Sequence, residues 1–248
     1  SNHGLEQRIY GNLEVPMENV MLAAAEDGRF DVGLFVYNFL QKEQGERIIN
    51  AYKKKNMGIT LMKNGEPEGS GSGNEPSERL RSLMDDYKKW LAEAESFREK
   101  YGLDGEEQVR DAAVTFAITN PAVHSACISI NNFDELNTFV TLSGADLKKP
   151  DYGLMRDYEH SFGTYYCRHA CGSCSSACPH SVPVNTIMRY SHYFEAQQQE
   201  KYAMEKYHSM EQQADPCRSC AAYCEQQCPY NVKIRSLLCE AHDLLTLT

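Results

Sequence analysis

Residues 1–150 predict a parallel α/β fold and residues 151–248 an all-helical one. Three observations carry this. Short apolar runs alternate with helix-length stretches in the first part, the pattern of βα units feeding a parallel sheet. No strand pattern recurs from Tyr165 onward, where the chain turns rich in Cys, Gln, Tyr and His. Eight of the ten cysteines fall within residues 167–228.

In chain order, Pro16–Glu26 is Pro-first and Ala-rich, and reads as a helix. Leu34–Tyr37 is an apolar run bounded by polar residues, a buried strand, and Lys42–Lys55 is the helix after it. Gly58–Met62 forms the second strand. The glycine-rich stretch Asn64–Glu75 then interrupts the pattern, and no packed element can form in it. Its composition favours a flexible surface insertion, and its place directly after a strand is that of a ligand-covering βα loop. Ser77–Tyr101 reads as a long surface helix and Glu106–Ile118 as a more buried one. Ala126–Ile130 is the third strand, with Cys127 in its core, and Phe133–Leu142 is its helix. Lys148-Lys149-Pro150-Asp151 is read as the linker between the two parts.

Composition excludes several classes. At 248 residues and 42% hydrophobic content the chain can bury a core, so disorder drops out. A net charge of −10 repels phosphate backbones, so nucleic acid is not expected as a partner. No apolar run approaches the roughly 20 residues of a membrane span. No n-region/h-region leader opens the sequence.

The cysteines are spaced as ligands rather than as staples between distant loops. The first group is Cys167-x3-Cys171-x2-Cys174-x3-Cys178-Pro179 and the second is Cys217-x2-Cys220-x3-Cys224-x3-Cys228-Pro229. A shift of 50 residues superposes Cys167 on Cys217, Cys174 on Cys224 and Cys178 on Cys228. Arg168/Arg218, Val182/Val232, Val184/Ile234, Ile187/Leu237 and Met188/Leu238 coincide as well. Only Cys171 and Cys220 fall one residue out of step. This is an internal duplication, and it predicts a pseudo-twofold arrangement.

Three thiolates on a tight loop can cap three irons of a cubane, and a fourth, redirected by the following proline, points at the other cluster. Cys167, Cys171, Cys174 and Cys228 are therefore assigned to one [4Fe–4S] cluster, and Cys217, Cys220, Cys224 and Cys178 to the second. Zinc is the rival, but structural zinc sites pair C-x2-C units from two places and have no use for a Cys-Pro ending. His160 and His169 flank the first motif as surface or hydrogen-bonding residues, and Cys239 falls outside the ligand spacing as a core residue. Residues 183–213 join the two groups and read as helical. About 31 residues in one helix would run roughly 45 Å, too long for the halves to meet, so a break is expected near Gln197–Glu200.

With these motifs in view, the chain resembles the C-terminal part of aldo/keto reductases that carry a ferredoxin-like domain with two [4Fe–4S] clusters. The matching stretches are Arg29-Phe30-Asp31-Val32 into Tyr37-Asn38, Asn56–Lys63, Ala112–Asn120, Cys127–Phe139 and the two Cys-Pro groups. The resemblance implies the C-terminal portion of a (β/α)8 TIM barrel over 1–150 and an α-helical dicluster domain over 151–248. Ser1-Asn2-His3-Gly4 resembles the loop after the fifth barrel strand, which implies a chain that begins mid-barrel. Length agrees, since a closed barrel alone takes about 250 residues.

The family's catalytic Asp, Tyr, Lys and His belong to earlier strands and map to no position here. On the cofactor side the resemblance implies NAD(P), met by Ser1, Asn2, Met62 and Lys63, with Asn64–Gly73 over the pyrophosphate. Three departures count against nicotinamide. Met62 stands where other members place an aromatic ring, Leu34 where they place a glutamine, and Ser129–Glu135 holds no Arg or Lys for a 2′-phosphate.

The expectation is an iron–sulfur oxidoreductase of the aldo/keto reductase type, with a ferredoxin-like redox partner protein and a small-molecule substrate. The competing expectation is a non-catalytic electron-transfer subunit whose half-barrel is an assembly surface, completed by another subunit or copy. Oxygen-sensitive clusters point to the cytoplasm, with a twin-arginine leader on upstream sequence as the alternative route.

Overall fold

The computed structural model describes residues 14–64, 87–103, 107–130, 132–143, 149–195 and 197–246. It is a mixed α/β structure, mostly helical, with one parallel three-stranded sheet. Two compact units divide it. Among the described residues, one comprises those of Glu18–Gly163, and the other those from Thr164 onward together with residues 14–17.

In the first unit α1 (Met17–Asp27) leads to β1 (Val32–Val36), α2 (Lys42–Lys54) and β2 (Gly58–Met62). Then come α3 (Tyr87–Tyr101), α4 (Glu107–Ile118), β3 (Ser125–Ala126), α5 (Phe133–Leu142) and α6 (Lys149–Phe162). The sheet order is β1-β2-β3, all parallel, with Val32 opposite Gly58 and Thr60 opposite Ser125. Parallel neighbours require a crossover, and α2 supplies the first. Its apolar face buries Ile48, Ile49 and Tyr52 against the sheet residues Phe35, Ile59 and Leu61. Gly33 makes this possible, because a Cβ there would lie 2.2 Å from the Tyr52 ring. Tyr52 then meets Phe35 edge-on at 5.6 Å.

The C-terminal ends of β1 and β2 are tied by polar groups. The Asn38 side chain accepts the Gln41 N–H at 3.0 Å and donates to the Lys63 carbonyl at 3.0 Å. Asn132 caps α5 in the usual way, accepting the Glu135 N–H at 2.8 Å.

Three expectations need correction. The third strand pairs only over Ser125–Ala126, because β2 stops at Met62 and Lys63 turns into the left-handed region (φ 54°), leaving residues after Cys127 no neighbour. Cys127 is exposed rather than core. Lys149-Pro150-Asp151 opens α6 instead of forming a linker, consistent with the tolerance of proline in a first helical turn. Tyr158 and Phe162 of α6 pack on Phe97 of α3 at ring distances of 5.9 and 5.5 Å, and the first compact unit runs to Gly163.

The second unit holds α7 (Val184–Glu195), α8 (Glu200–His208), the single turn α9 (Tyr223–Gln226) and α10 (Ile234–Leu245). The connector breaks between Glu195 and Glu200, with Gln198 at φ 52°. Helices α7, α8 and α10 enclose Val184, Ile187, Tyr190, Ala203, Tyr207, Leu238, Ala241 and Leu245. Buried Tyr207 has its polar end satisfied: Ala214 N–H donates to it at 2.8 Å and His242 Nδ1 lies 2.7 Å away. No described helix is long and apolar enough to cross a membrane.

Candidate metal centre

The duplication is present in the backbone. Displaced by 50 residues, α7 coincides with α10 at both ends. Each Cys-Pro turn repeats the same bonds: Cys178 and Cys228 N–H to the carbonyls of Ser175 and Glu225, Ser181 and Asn231 N–H to those of Cys178 and Cys228. The left-handed positions repeat too, Gly172 (66°) with Ala222 (56°) and Ser181 with Asn231 (both 53°). Such φ values reverse the chain sharply, bending each cysteine loop back toward the helix that follows it.

The thiols associate across the halves. Burial chiefly holds the Cys167 thiol protonated, and the thiols that add to this are Cys171, Cys174 and, from the second half, Cys228. Cys174 is pushed up to about 12, first by burial and then by Cys171, Cys224 and Cys228. Around the second group, Cys217 is pushed up to about 12 by burial and by Cys239, Cys178, Cys224 and Cys220. Cys224 rises to about 11, by burial, Glu225 and Cys178. Cys178, Cys217, Cys220 and Cys224 also line one small, partly open cavity, with Pro179, Val184, Leu238 and Arg235 around them. Cys178 thus lies with the three cysteines of the second half around that cavity, and Cys228 is among the groups that raise Cys167 and Cys174.

Among the described residues no three His, Cys, Asp or Glu side chains are placed to hold a single metal ion. A cubane distributes its four thiolates over four irons, a wider grouping than one ion takes. The donor set suits such a cluster: four thiols, a mostly apolar wall and nearby N–H donors to sulfur. The Val182 N–H donates to Cys178 Sγ at 3.3 Å, the Asn185 amide to Cys167 Sγ at 3.7 Å, and Ser173 donates to Cys171.

Support around the two groups differs. Arg168 is fully buried, donates to the Tyr166 carbonyl at 2.8 Å and lies 4.1 Å from the Tyr230 ring centre. Its counterpart Arg218 is exposed and pairs with Asp243. Arg235 donates to the carbonyls of Cys217 (3.1 Å) and Arg218 (2.7 Å). Glu14 accepts N–H bonds from Asn185 (3.3 Å) and Thr186 (2.6 Å) and the Ser175 hydroxyl at 3.5 Å. Burial raises its carboxyl, and the Thr186 and Asn185 bonds and Arg189 oppose that rise. Arg168 was visible in the sequence as a repeated residue but not as a buried one, and Glu14 gave no signal at all. Cys239 is half-buried against the second group.

Of the residues expected on the cofactor side, Met62 ends β2 and is buried, and Lys63 follows it with its carbonyl held by Asn38. Ser1 and Asn2, and the loop after Asn64, lie outside the described residues. No family model, curated protein or solved structure matches the chain.

Proposed function

We propose that this chain is an iron–sulfur oxidoreductase of the aldo/keto reductase type, whose helical unit carries electrons through two [4Fe–4S] clusters. One observation carries the reading. Cys178 lines a cavity with Cys217, Cys220 and Cys224, the crossed quartet that the Cys-Pro spacing requires. Bound there, each cluster would accept and return one electron at a time.

The chain's own groups hold and tune that chemistry. Cys167, Cys171, Cys174 and Cys228 would hold the first cluster, and Cys217, Cys220, Cys224 and Cys178 the second. Val184 and Leu238 give the second group an apolar wall, and N–H donors to sulfur stabilise added negative charge. In the first unit, β1-β2-β3 with α2 and α4 fits a portion of a (β/α)8 barrel. A small-molecule substrate would bind at the carboxyl ends of such strands, where Asn38 and Lys63 lie. NAD(P) at Met62 and Lys63 remains part of the proposal, set against the departures at Met62, Leu34 and 129–135.

A second reading is favoured by the sheet. Among the described residues β1 and β3 each pair on one side only, and unpaired edges accept a partner strand. In that reading the chain is an electron-transfer subunit and its sheet is an assembly surface. Anaerobic purification with iron and acid-labile sulfide analysis tests both. About eight of each per chain, with a brown absorbance bleached by dithionite, is expected. Colourless protein holding zinc would sink both readings. Sizing the brown protein by light scattering then separates them, since the subunit reading requires a stable assembly.

A further inference from the structure

We infer that Glu14 is a positioning residue for the first thiol group, supplying from outside the repeat the capping carboxylate that the second half carries in its own sequence. The inference rests on the two-cluster reading above and names what holds one of those sites in shape.

The comparison of halves leads to it. In the second half Glu225 directly follows Cys224, and its carboxylate accepts the Arg235 N–H at 2.8 Å. Arg235 is the second residue of α10, so this is one of the N–H groups that a helix start leaves without an internal partner. The same residue sends its guanidinium to the Cys217 carbonyl at 3.1 Å. One carboxylate therefore links the residue beside one ligand to the residue that braces another.

In the first half the 50-residue shift puts Ser175 where Glu225 stands and Asn185 where Arg235 stands. A serine there is too short to reach the helix start. Its hydroxyl instead points to Glu14, 3.5 Å away, and Glu14 takes the Asn185 N–H at 3.3 Å and the Thr186 N–H at 2.6 Å. Asn185 in turn extends its side-chain amide to Cys167 Sγ at 3.7 Å. The circuit is the same: beside one ligand, through a carboxylate, to the helix residue that reaches the next ligand. Only the source of the carboxylate has changed. The neighbouring residue supports this placement, since Pro16 packs on Gly172 so closely that a Cβ on Gly172 would lie 2.4 Å from the ring. Met17 N–H also donates to the Ala170 carbonyl at 2.9 Å. Residues 14–17 are thus laid along the first cysteine loop.

The role is geometric: without it the Asn185 amide loses its fixed approach to Cys167, and the turn after Cys174 loses its brace. The test uses the full chain, purified without oxygen, with Glu14→Ala and Glu14→Gln beside wild type. The readouts are iron, sulfide, the EPR spectrum of the dithionite-reduced protein and the midpoint potentials. Cys228→Ser and Cys178→Ser supply reference spectra for chains lacking one cluster each.

Glu14→Ala is expected to hold about half the wild-type iron, its surviving EPR signal matching that of Cys228→Ser. Glu14 accepts the Asn185 and Thr186 N–H groups on different oxygens, so Glu14→Gln keeps an acceptor for one of them and is expected to hold iron between the Glu14→Ala and wild-type contents. Glu14→Ala with full iron, unchanged EPR and unchanged potentials would overturn the inference. Equal loss from both clusters would overturn it too, since that describes general folding rather than local positioning. A wild-type chain holding zinc or no metal overturns the two-cluster reading itself, and the role assigned to Glu14 falls with it.

Discussion

The two cysteine-bearing halves share their backbone and differ in nearly everything that braces it. Helices α7 and α10 have matching ends, and the left-handed residues Gly172 and Ser181 match Ala222 and Asn231. Yet Arg168 is buried on an aromatic ring while Arg218 is exposed in an ion pair. The reason lies in the crossing partner. Arg168 faces Tyr230, two residues past Cys228, whereas the residue equivalent to Tyr230 in the first half is His180. The repeated turns set where the loops go, and each loop finds its own side-chain supports. Duplicated sequence is a guide to the repeated backbone and a poor guide to what braces it.

The largest test of that contrast exchanges the crossing ligands. Cys228→Ser and Cys178→Ser are each expected to lower iron from about eight to about four per chain, with different surviving EPR signals. Identical surviving signals would contradict the crossed assignment. Next is the arginine pair. Arg168→Ala removes a desolvated guanidinium stacked on Tyr230, at a cost of about 2–4 kcal/mol, while Arg218→Ala loses an exposed pair worth under about 1 kcal/mol. Urea unfolding of the two variants measures the difference, and equal values would mean that Arg168 is not a structural anchor.

A smaller contrast lies at the turns. Gly172→Ala drives a methyl into Pro16 and is expected to cost about 1–3 kcal/mol. Ala222→Gly at the equivalent site relieves a left-handed alanine and is expected to gain about 0.5–1 kcal/mol. Thermal melts of opposite sign are the expected result.

The gentlest test is pH on the iron-free chain. Cys174 and Cys217 sit near about 12 and Cys224 near about 11 when folded, against about 8.5 for an unfolded thiol. Raised values favour the protonated fold, so their contribution is complete below about pH 8.5 and is lost as pH rises toward 11–12. Thermal unfolding at pH 8 and pH 11 should show the drop, and Cys174→Ser should flatten it.

Much of this was legible in advance. Gly58–Met62 and Phe133–Leu142 form over the expected residues because an apolar run and an Asn cap are local signals. The two cysteine groups stand out because close, repeated spacing is itself a local signal. What escaped was non-local. Helix α6 was hidden behind Lys149-Pro150, although Leu154, Met155, Tyr158 and Phe162 recur at helical spacing and are all buried. The third strand was overdrawn because apolar residues after Cys127 look extended, and only the end of β2 denies them a partner. Glu14 reaches its acceptor role across more than 160 residues of chain, a distance at which neither periodicity nor motif spacing carries information.

The assignment of residues 14–17 to the cysteine-bearing unit bears on how this protein can be cut and recombined. By eye, the chain invites division just before the first cysteine group, yielding a tidy cassette for fusion to another protein. That cassette would leave behind Glu14, Pro16 and the Met17 amide, all of which touch it. The unit is woven from two separate stretches of the polypeptide, as its division from the remainder of the chain shows. A transplant needs both pieces, or a circularly permuted gene that places the short one next to the long one.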